Sequence, residues 1–294
     1  MKKIFSMLLL VVFILTLMGC EGAEKKVVIA SKPMAESYII AEMLGQLIEE
    51  YSDISVEYKM GIGGGTSNIQ PAMEAGEIDM YPEYTGTGWL FVLKEELISD
   101  PAELYAAVAT KYQQQYKFEW LELYGFNDTY ALSMNREVAQ QYNITTYSDL
   151  AAVSENFILG AEYDFYERED GYPGLVDVYG FRFKETRDVD IGLKYKAIGA
   201  GEVDVINNFS TDGLLSEYDL TVLQDDKNFF PAYQAATVIR QETLDKYPEL
   251  EAILNKLAGQ ISDKEMQQMN YYVEHDNRDA KDVAREFLES KGLL

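Results

Sequence analysis

The chain has one histidine, His275, and one cysteine, Cys20. Those counts exclude a His/Cys zinc site and Cys-His nucleophilic catalysis in the folded domain. A Ser-His-Asp hydrolase would have to use His275. That residue sits in the charged run Glu274-His275-Asp276 and reads as solvent-facing, and no G-x-S-x-G element is present. Gly61-Ile62-Gly63-Gly64-Gly65-Thr66 is glycine-rich but lacks the G-K-[ST] ending of a phosphate loop. It reads instead as a tight turn that lets a helix N-terminus approach a ligand or a second lobe. Glu167 and Glu169 match a glycosidase acid pair only by residue type, and in a chain with 50 acidic residues that carries little weight.

What remains is tyrosine. The chain has 22, and they gather in stretches rich in turn formers. The densest is Tyr81-Pro82-Glu83-Tyr84-Thr85-Gly86-Thr87-Gly88-Trp89; Asn127-Asp128-Thr129-Tyr130 and Phe229-Phe230-Pro231-Ala232-Tyr233 are similar. Aromatic faces carry negative potential and attract cations. A methylated ammonium has little hydration to lose, so several ring faces converging on one point make a quaternary-ammonium box. Most of the tyrosines are expected to be packing residues with satisfied hydroxyls.

The elements that must position these rings are of α/β type. Val27–Ala30 reads as a buried strand. Ile39, Ile40, Met43, Leu44, Leu47 and Ile48 recur at helical spacing, and Ile54, Val56, Tyr58 and Met60 alternate as in a strand. Thr66 or Ser67 is expected to cap a short helix running to Ala75, followed by a strand at Ile78–Tyr81. This order implies a parallel sheet. Phe157–Ala161 and Val203–Ile206 read as further strands and Leu193–Ala200 as a helix; one long helix is expected from Asp263 to Ser290. Gly76-Glu77-Ile78-Asp79 is echoed by Gly201-Glu202-Val203-Asp204, and an aromatic then a hydroxyl residue follow each copy: Tyr84-Thr85 and Phe209-Ser210. The echo suggests two similar α/β lobes, each offering an aromatic from the loop after a strand, at the carboxyl ends where open sheets bind ligands.

The N-terminus reads as a targeting segment. Lys2 and Lys3 precede the apolar run Met7–Leu17, which is too short for a membrane span, and Cys20 follows directly. Residues 1–19 are therefore expected to be a lipoprotein-type signal peptide and Cys20 the lipidated first residue, an anchor to the membrane. Removal of that segment takes two lysines and no acids, so the formal charge moves from −25 to −27. Such an excess disfavours nucleic acid as a partner.

Seven ordered motifs carry a resemblance over essentially the whole mature chain. They are Ala30-Ser31-Lys32-Pro33-Met34-Ala35-Glu36-Ser37-Tyr38, Gly64-Gly65-Thr66-Ser67, Tyr81 to Thr87, Asn127 to Leu132, Arg168 to Leu175, Phe209-Ser210-Thr211-Asp212-Gly213 and Phe229 to Tyr233. In these the chain resembles the substrate-binding proteins of osmoprotectant ABC importers, the ProX and OpuC type, which bind glycine betaine, choline or carnitine. The resemblance implies a two-lobed, type II periplasmic-binding-protein fold with the ligand in the cleft. Lobe one would span 24–127 plus 232–294, and lobe two 128–231.

By the same resemblance, Tyr84, Tyr130, Phe209 and Tyr233 form the aromatic cage, and Asp128 stands where archaeal members offer a backbone carbonyl. Lys32, Thr87 and Arg168 correspond to the residues that hold the ligand's carboxylate. Phe209 replaces the usual tyrosine, and Ser37 stands where many Gram-positive members have a glutamine that contacts the ligand. The implied protein is extracytoplasmic, needs no cofactor or metal, is not an enzyme and hands its ligand to ABC permease subunits. Glycine betaine is the first expectation. Carnitine, choline, proline betaine and ergothioneine are the alternatives within the class. An enzyme acting on a choline-like substrate and a receptor that signals without transport are the alternatives outside it.

Overall fold

The computed structural model describes residues 25–294, so the expected signal segment and Cys20 lie outside the described residues. The first part of the chain runs β1 (Lys26–Ala30), α1 (Ala35–Tyr51), β2 (Ser55–Lys59), α2 (Thr66–Glu74), β3 (Met80–Tyr84), a π-helical turn at Thr87–Val92, α3 (Pro101–Tyr116) and β4 (Phe118–Trp120). The middle runs β5 (Tyr130–Asn135), α4 (Arg136–Tyr142), α5 (Tyr147–Val153), β6 (Ile158–Ala161), α6 (Tyr163–Glu167), α7 (Tyr172–Tyr179), β7 (Glu185–Asp188), α8 (Lys194–Gly199), β8 (Val205–Phe209) and β9 (Leu220–Val222). The chain closes with β10 (Ala235–Arg240), α9 (Gln241–Lys246), α10 (Glu249–Leu254), α11 (Asp263–Glu274) and α12 (Ala280–Ser290).

Two five-stranded sheets result, ordered β2-β1-β3-β10-β4 and β7-β6-β8-β5-β9. In each, the first three strands are parallel and the fourth runs against them. Pairing of β3 with β1 is confined to Ile29 and Met80, whereas pairing with β10 continues through Pro82. Pro82 has no N–H to give, so one side of β3 is left unpaired. The six apolar residues read from α1 are all fully buried, against β2, α11 and α12 among others. Each such Leu or Ile contributes roughly 1.5–3 kcal/mol.

The internal echo is a repeated structural device. Gly76 (φ 76°) and Gly201 (φ 71°) take the left-handed conformation that ends each preceding helix. Glu77 N then donates to Ala72 O and Glu202 N to Ala197 O, both at 2.9 Å. Asp79 fastens Val28 through its carboxylate (2.7 Å) and its own N–H (2.9 Å), and Asp204 holds Ile158 at the same two distances. The aromatics differ from expectation in one respect: Tyr84 and Phe209 are the last residues of β3 and β8, not members of the following loops.

Two expected helix boundaries are corrected. Helix α2 is capped by Gly65 (φ 49°) and not by Thr66 or Ser67, because the Thr66 hydroxyl donates to Glu83 Oε2 at 2.6 Å. The segment Asp263–Ser290 is two helices. Asn277 is left-handed (φ 54°), and Asp279 caps α12 by accepting from Lys281 N at 2.9 Å.

The chain passes between the sheets twice, and the two passages lie side by side. Asn127 and Gln234 form an antiparallel bridge. Asp128 N donates to Tyr233 O (3.0 Å), and Tyr233 N donates to Asn127 Oδ1 (2.7 Å).

Candidate ligand-binding site

A cavity of about 450 Å³ is lined by all eight residues expected to meet a ligand: Lys32, Tyr84, Thr87, Asp128, Tyr130, Arg168, Phe209 and Tyr233. Strand geometry brings them there. Tyr84 and Phe209 lie at the carboxyl ends of parallel strands. The antiparallel register of β5 on β8 sets Tyr130 directly opposite Phe209, so residues far apart in sequence share one face. Tyr233 precedes β10 at the second passage. Ser37 does not line the cavity; it is fully buried, and its hydroxyl accepts from Lys32 N at 2.8 Å.

Tyr130 is the hub of the rings. Its centroid is 4.8 Å from Phe209 and 5.3 Å from Tyr233, the latter edge-on at 85°. Phe165 (5.3 Å) and Phe230 (5.5 Å) support it on other sides. These separations fit aromatic contact geometry. Tyr84 faces the cavity from the other sheet and makes no ring contact with the three among the described residues; its hydroxyl donates to Glu36 Oε1 at 2.6 Å. Two of the rings already meet an internal cation: Lys32 Nζ lies 4.6 Å from the Tyr84 centroid and Lys194 Nζ 4.3 Å from that of Phe209. Tyr233 can sit where it does because Gly86 has no side chain. A Cβ there would lie 2.7 Å from Tyr233 Cε1 and 2.9 Å from Ala232 O.

The polar end is built from matched charges. Arg168, 5% exposed, donates from Nε and Nη2 to both oxygens of Asp170 (2.8 and 2.5 Å) and from Nη2 to Thr87 Oγ1 (3.3 Å). Nη1 makes no protein hydrogen bond among the described residues. Tyr233 Oη donates to the same Asp170 carboxylate (2.8 Å), so one acid ties a cage ring to the guanidinium. Burial opposes the Arg168 charge, but Tyr130 and the hydrogen-bonded Asp170 carboxylate beside it hold the guanidinium above its ordinary range. Lys32 Nζ is bound to Glu83 Oε1 at 2.5 Å, and Glu83 is fully buried. Tyr81 Oη, Thr66 Oγ1 and Tyr84 N also donate to Glu83. Buried ions need such partners to offset desolvation.

Sequence reasoning did not single out Glu83, Asp170, Glu36 or Thr211, although each lies inside a motif already quoted. The signal was available as a type argument, since a buried Lys or Arg in a ligand site calls for an acid nearby. Sequence reasoning also missed an acidic wall. Glu162, Asp164, Asp188 and Asp190 line the same cavity from the second sheet. Burial raises the carboxyls of Glu162 and Asp164, and Glu162 Oε2 is buried without a hydrogen-bond partner. Residues cast in other roles stand apart. His275 is exposed and stacks on Tyr271 at 4.6 Å, and Glu167 and Glu169 are exposed.

Comparison with known proteins identifies the family and the fold. The family described as the substrate binding domain of ABC-type glycine betaine transport systems matches residues 25–290. The chain is 45% identical over 270 residues to the ergothioneine transport permease/ergothioneine binding protein EgtU of Helicobacter pylori (strain G27), covering 92% of this chain and 48% of that protein. It therefore spans about half the length of that relative. It is 36% identical to the carnitine transport binding protein OpuCC of Listeria monocytogenes, over 100% of this chain and 99% of that one. A solved structure described as a glycine betaine/carnitine/choline ABC transporter superposes with a TM-score of 0.72 at 36% identity, covering 92% of this chain and 99% of the other. The α/β architecture is thus the type II periplasmic-binding-protein fold that the resemblance implied. With its two like-ordered sheets, its shared cavity and a family match over nearly all described residues, the chain belongs to the substrate-binding domains of ABC-type glycine betaine transport systems.

Proposed function

We propose that this protein captures a quaternary-ammonium betaine outside the cytoplasm and delivers it to ABC permease subunits, with glycine betaine as the first candidate ligand. The observation that carries the reading is the meeting of Tyr84, Tyr130, Phe209 and Tyr233 with Thr87 and Arg168 around one cavity. The ring faces take the trimethylammonium head. Arg168, through its uncommitted Nη1, and the Thr87 hydroxyl take the carboxylate. Lys32 adds a charge that Glu83 largely offsets. The two sheet units act as lobes divided at 128 and 232, and ligand contacts from both favour the closed form. No covalent step is assigned to any residue. Residues 1–19 serve as the signal segment, and lipidated Cys20 holds the domain at the membrane; among the described residues no helix is long and apolar enough to cross one.

A second reading concerns the ligand's size and far end. The cavity is within the range of sites that hold drug-sized ligands, and its acidic wall would suit a betaine with additional N–H donors. Ergothioneine, named for the 45% identical relative, has that chemistry. Calorimetric titration of the mature protein with glycine betaine, carnitine, choline and ergothioneine separates the readings. Tightest binding of glycine betaine supports the first, and tightest binding of ergothioneine the second. Choline bound as tightly as any carboxylated ligand contradicts the assigned polarity of both.

A further inference from the structure

Glu36, in the first turn of α1, is 1% exposed and stands behind the cavity. Tyr84 Oη donates to its Oε1 at 2.6 Å, and Asn270 Nδ2, on α11, donates to its Oε2 at 3.1 Å. Thr211 belongs to the other sheet's side, two residues beyond Phe209. Its Oγ1 lies 2.6 Å from Glu36 Oε2 and 2.6 Å from Asp128 Oδ1. Both contacts have the length of O–H···O hydrogen bonds. A hydroxyl carries a single proton and can donate to only one of the two carboxyls. The second contact is a hydrogen bond only if that carboxyl is itself protonated and donates to Oγ1. Two ionised carboxyls sharing one buried hydroxyl would repel each other and lack a donor.

The donor count decides which acid keeps the proton. Glu36 already receives Tyr84 and Asn270, which favours its ionised form. Among the described residues the Asp128 carboxyl receives only the groups of Thr211, including Thr211 N at 3.4 Å. Burial first, and the Glu36 charge second, hold the Asp128 carboxyl well above its ordinary range. The other acids nearby favour a proton in the pair without choosing between its two members. Asp212 faces the pair, paired with Lys194 at 3.1 Å and accepting from Tyr195 Oη and Phe209 N. Glu83 lies behind Tyr84, and Glu274 is one turn beyond Asn270.

We infer that Glu36 is a positioning residue for the ligand site: through Thr211 and a protonated Asp128 it clasps Tyr84 of one sheet to the Phe209 segment of the other. Its effect on ligand rests on the function proposed above; the clasp itself does not. The clasped state binds one proton more than a state in which Asp128 is exposed and titrates near its ordinary value of about 4. The clasp is therefore complete at low pH and is lost as pH rises through the raised Asp128 value. Between the ordinary value of about 4 and the raised Asp128 value each pH unit weakens it by up to about tenfold, and above the raised value nothing further is lost.

Asp128→Asn replaces the acid O–H with a permanent N–H donor to Thr211. The expected result is a ligand-free thermal midpoint that, through this carboxyl, falls as pH rises from about 4 through the raised Asp128 value in the wild type and falls less in this variant. Betaine affinity should follow the same two profiles. Glu36→Ala should weaken betaine at every pH. Equal pH profiles for wild type and Asp128→Asn overturn the clasp. A wild-type titration of side-chain carboxyl carbons by NMR needs no folded variant: Asp128 still protonated at about pH 6 supports the clasp, and Asp128 ionised there overturns it. If the midpoints behave as predicted but no quaternary-ammonium ligand binds at any pH, the clasp stands and the proposed function falls.

Discussion

Arg168 and Asp170 form a nearly closed unit within the protein. Their roles in stability and in binding are therefore separable. Arg168→Ala leaves Asp170 (5% exposed) without its counter-ion, and thermal or denaturant unfolding should record a loss of about 3–5 kcal/mol. Removing Asp170 as well should restore much of that stability, because no uncompensated charge remains. It should not restore the preference for carboxylated ligands over choline, which depends on the guanidinium. A double variant that recovered both would show that Arg168 serves only packing. At the aromatic end the residues are unequal. Tyr130 touches Phe209, Tyr233, Phe165 and Phe230, so Tyr130→Ala should abolish calorimetrically detectable binding. Phe209→Ala removes one desolvated ring face, which is worth about 2 kcal/mol, and should weaken the ligand without eliminating it.

At the scale of elements, the β3-to-turn connection sets the cage. Gly86 follows β3 by two residues and lies under the Tyr233 ring. Gly86→Ala should push that ring and the Ala232 carbonyl aside, lowering ligand-free stability and cutting affinity by at least about tenfold, the equivalent of 1.4 kcal/mol. An unshifted affinity would mean that Tyr233 has room to move without loss. The elements were legible wherever a single face was buried. The spacing of α1 named its six core residues, and the Gly-Glu-aliphatic-Asp echo marked two equivalent helix-to-strand turns. Local chemistry misled where it met a competing partner. Thr66 reads as a cap, but its hydroxyl is taken by Glu83. Asn277 is an ordinary residue in a helical pattern until its left-handed backbone divides α11 from α12. What sequence could not reveal was non-local pairing. The opposition of Tyr130 and Phe209, the Lys32–Glu83 pair and the Thr211 hydroxyl between two acids all depend on which strands become neighbours.

At the scale of the whole molecule, two like-ordered sheets are joined by two adjacent passages that bond to each other at Asn127, Asp128, Tyr233 and Gln234. Movement of the sheets about this joint would break bonds that cross between them, Arg168–Thr87 and Glu36–Thr211 among them, and on the proposed function ligand contacts to both favour closure. Small-angle scattering should show compaction when a saturating betaine is added and none with glycine. Cys20→Ser should release the protein from the membrane fraction without altering its affinity. The central claim, a cation box that reads methylation, is tested most directly by titrating the mature protein calorimetrically with glycine betaine and with glycine under identical conditions. The two ligands share a carboxylate and differ at the nitrogen, so the comparison isolates the ring faces. Saturable binding of glycine betaine with no detectable binding of glycine is the predicted result; equal affinity for the two would contradict it.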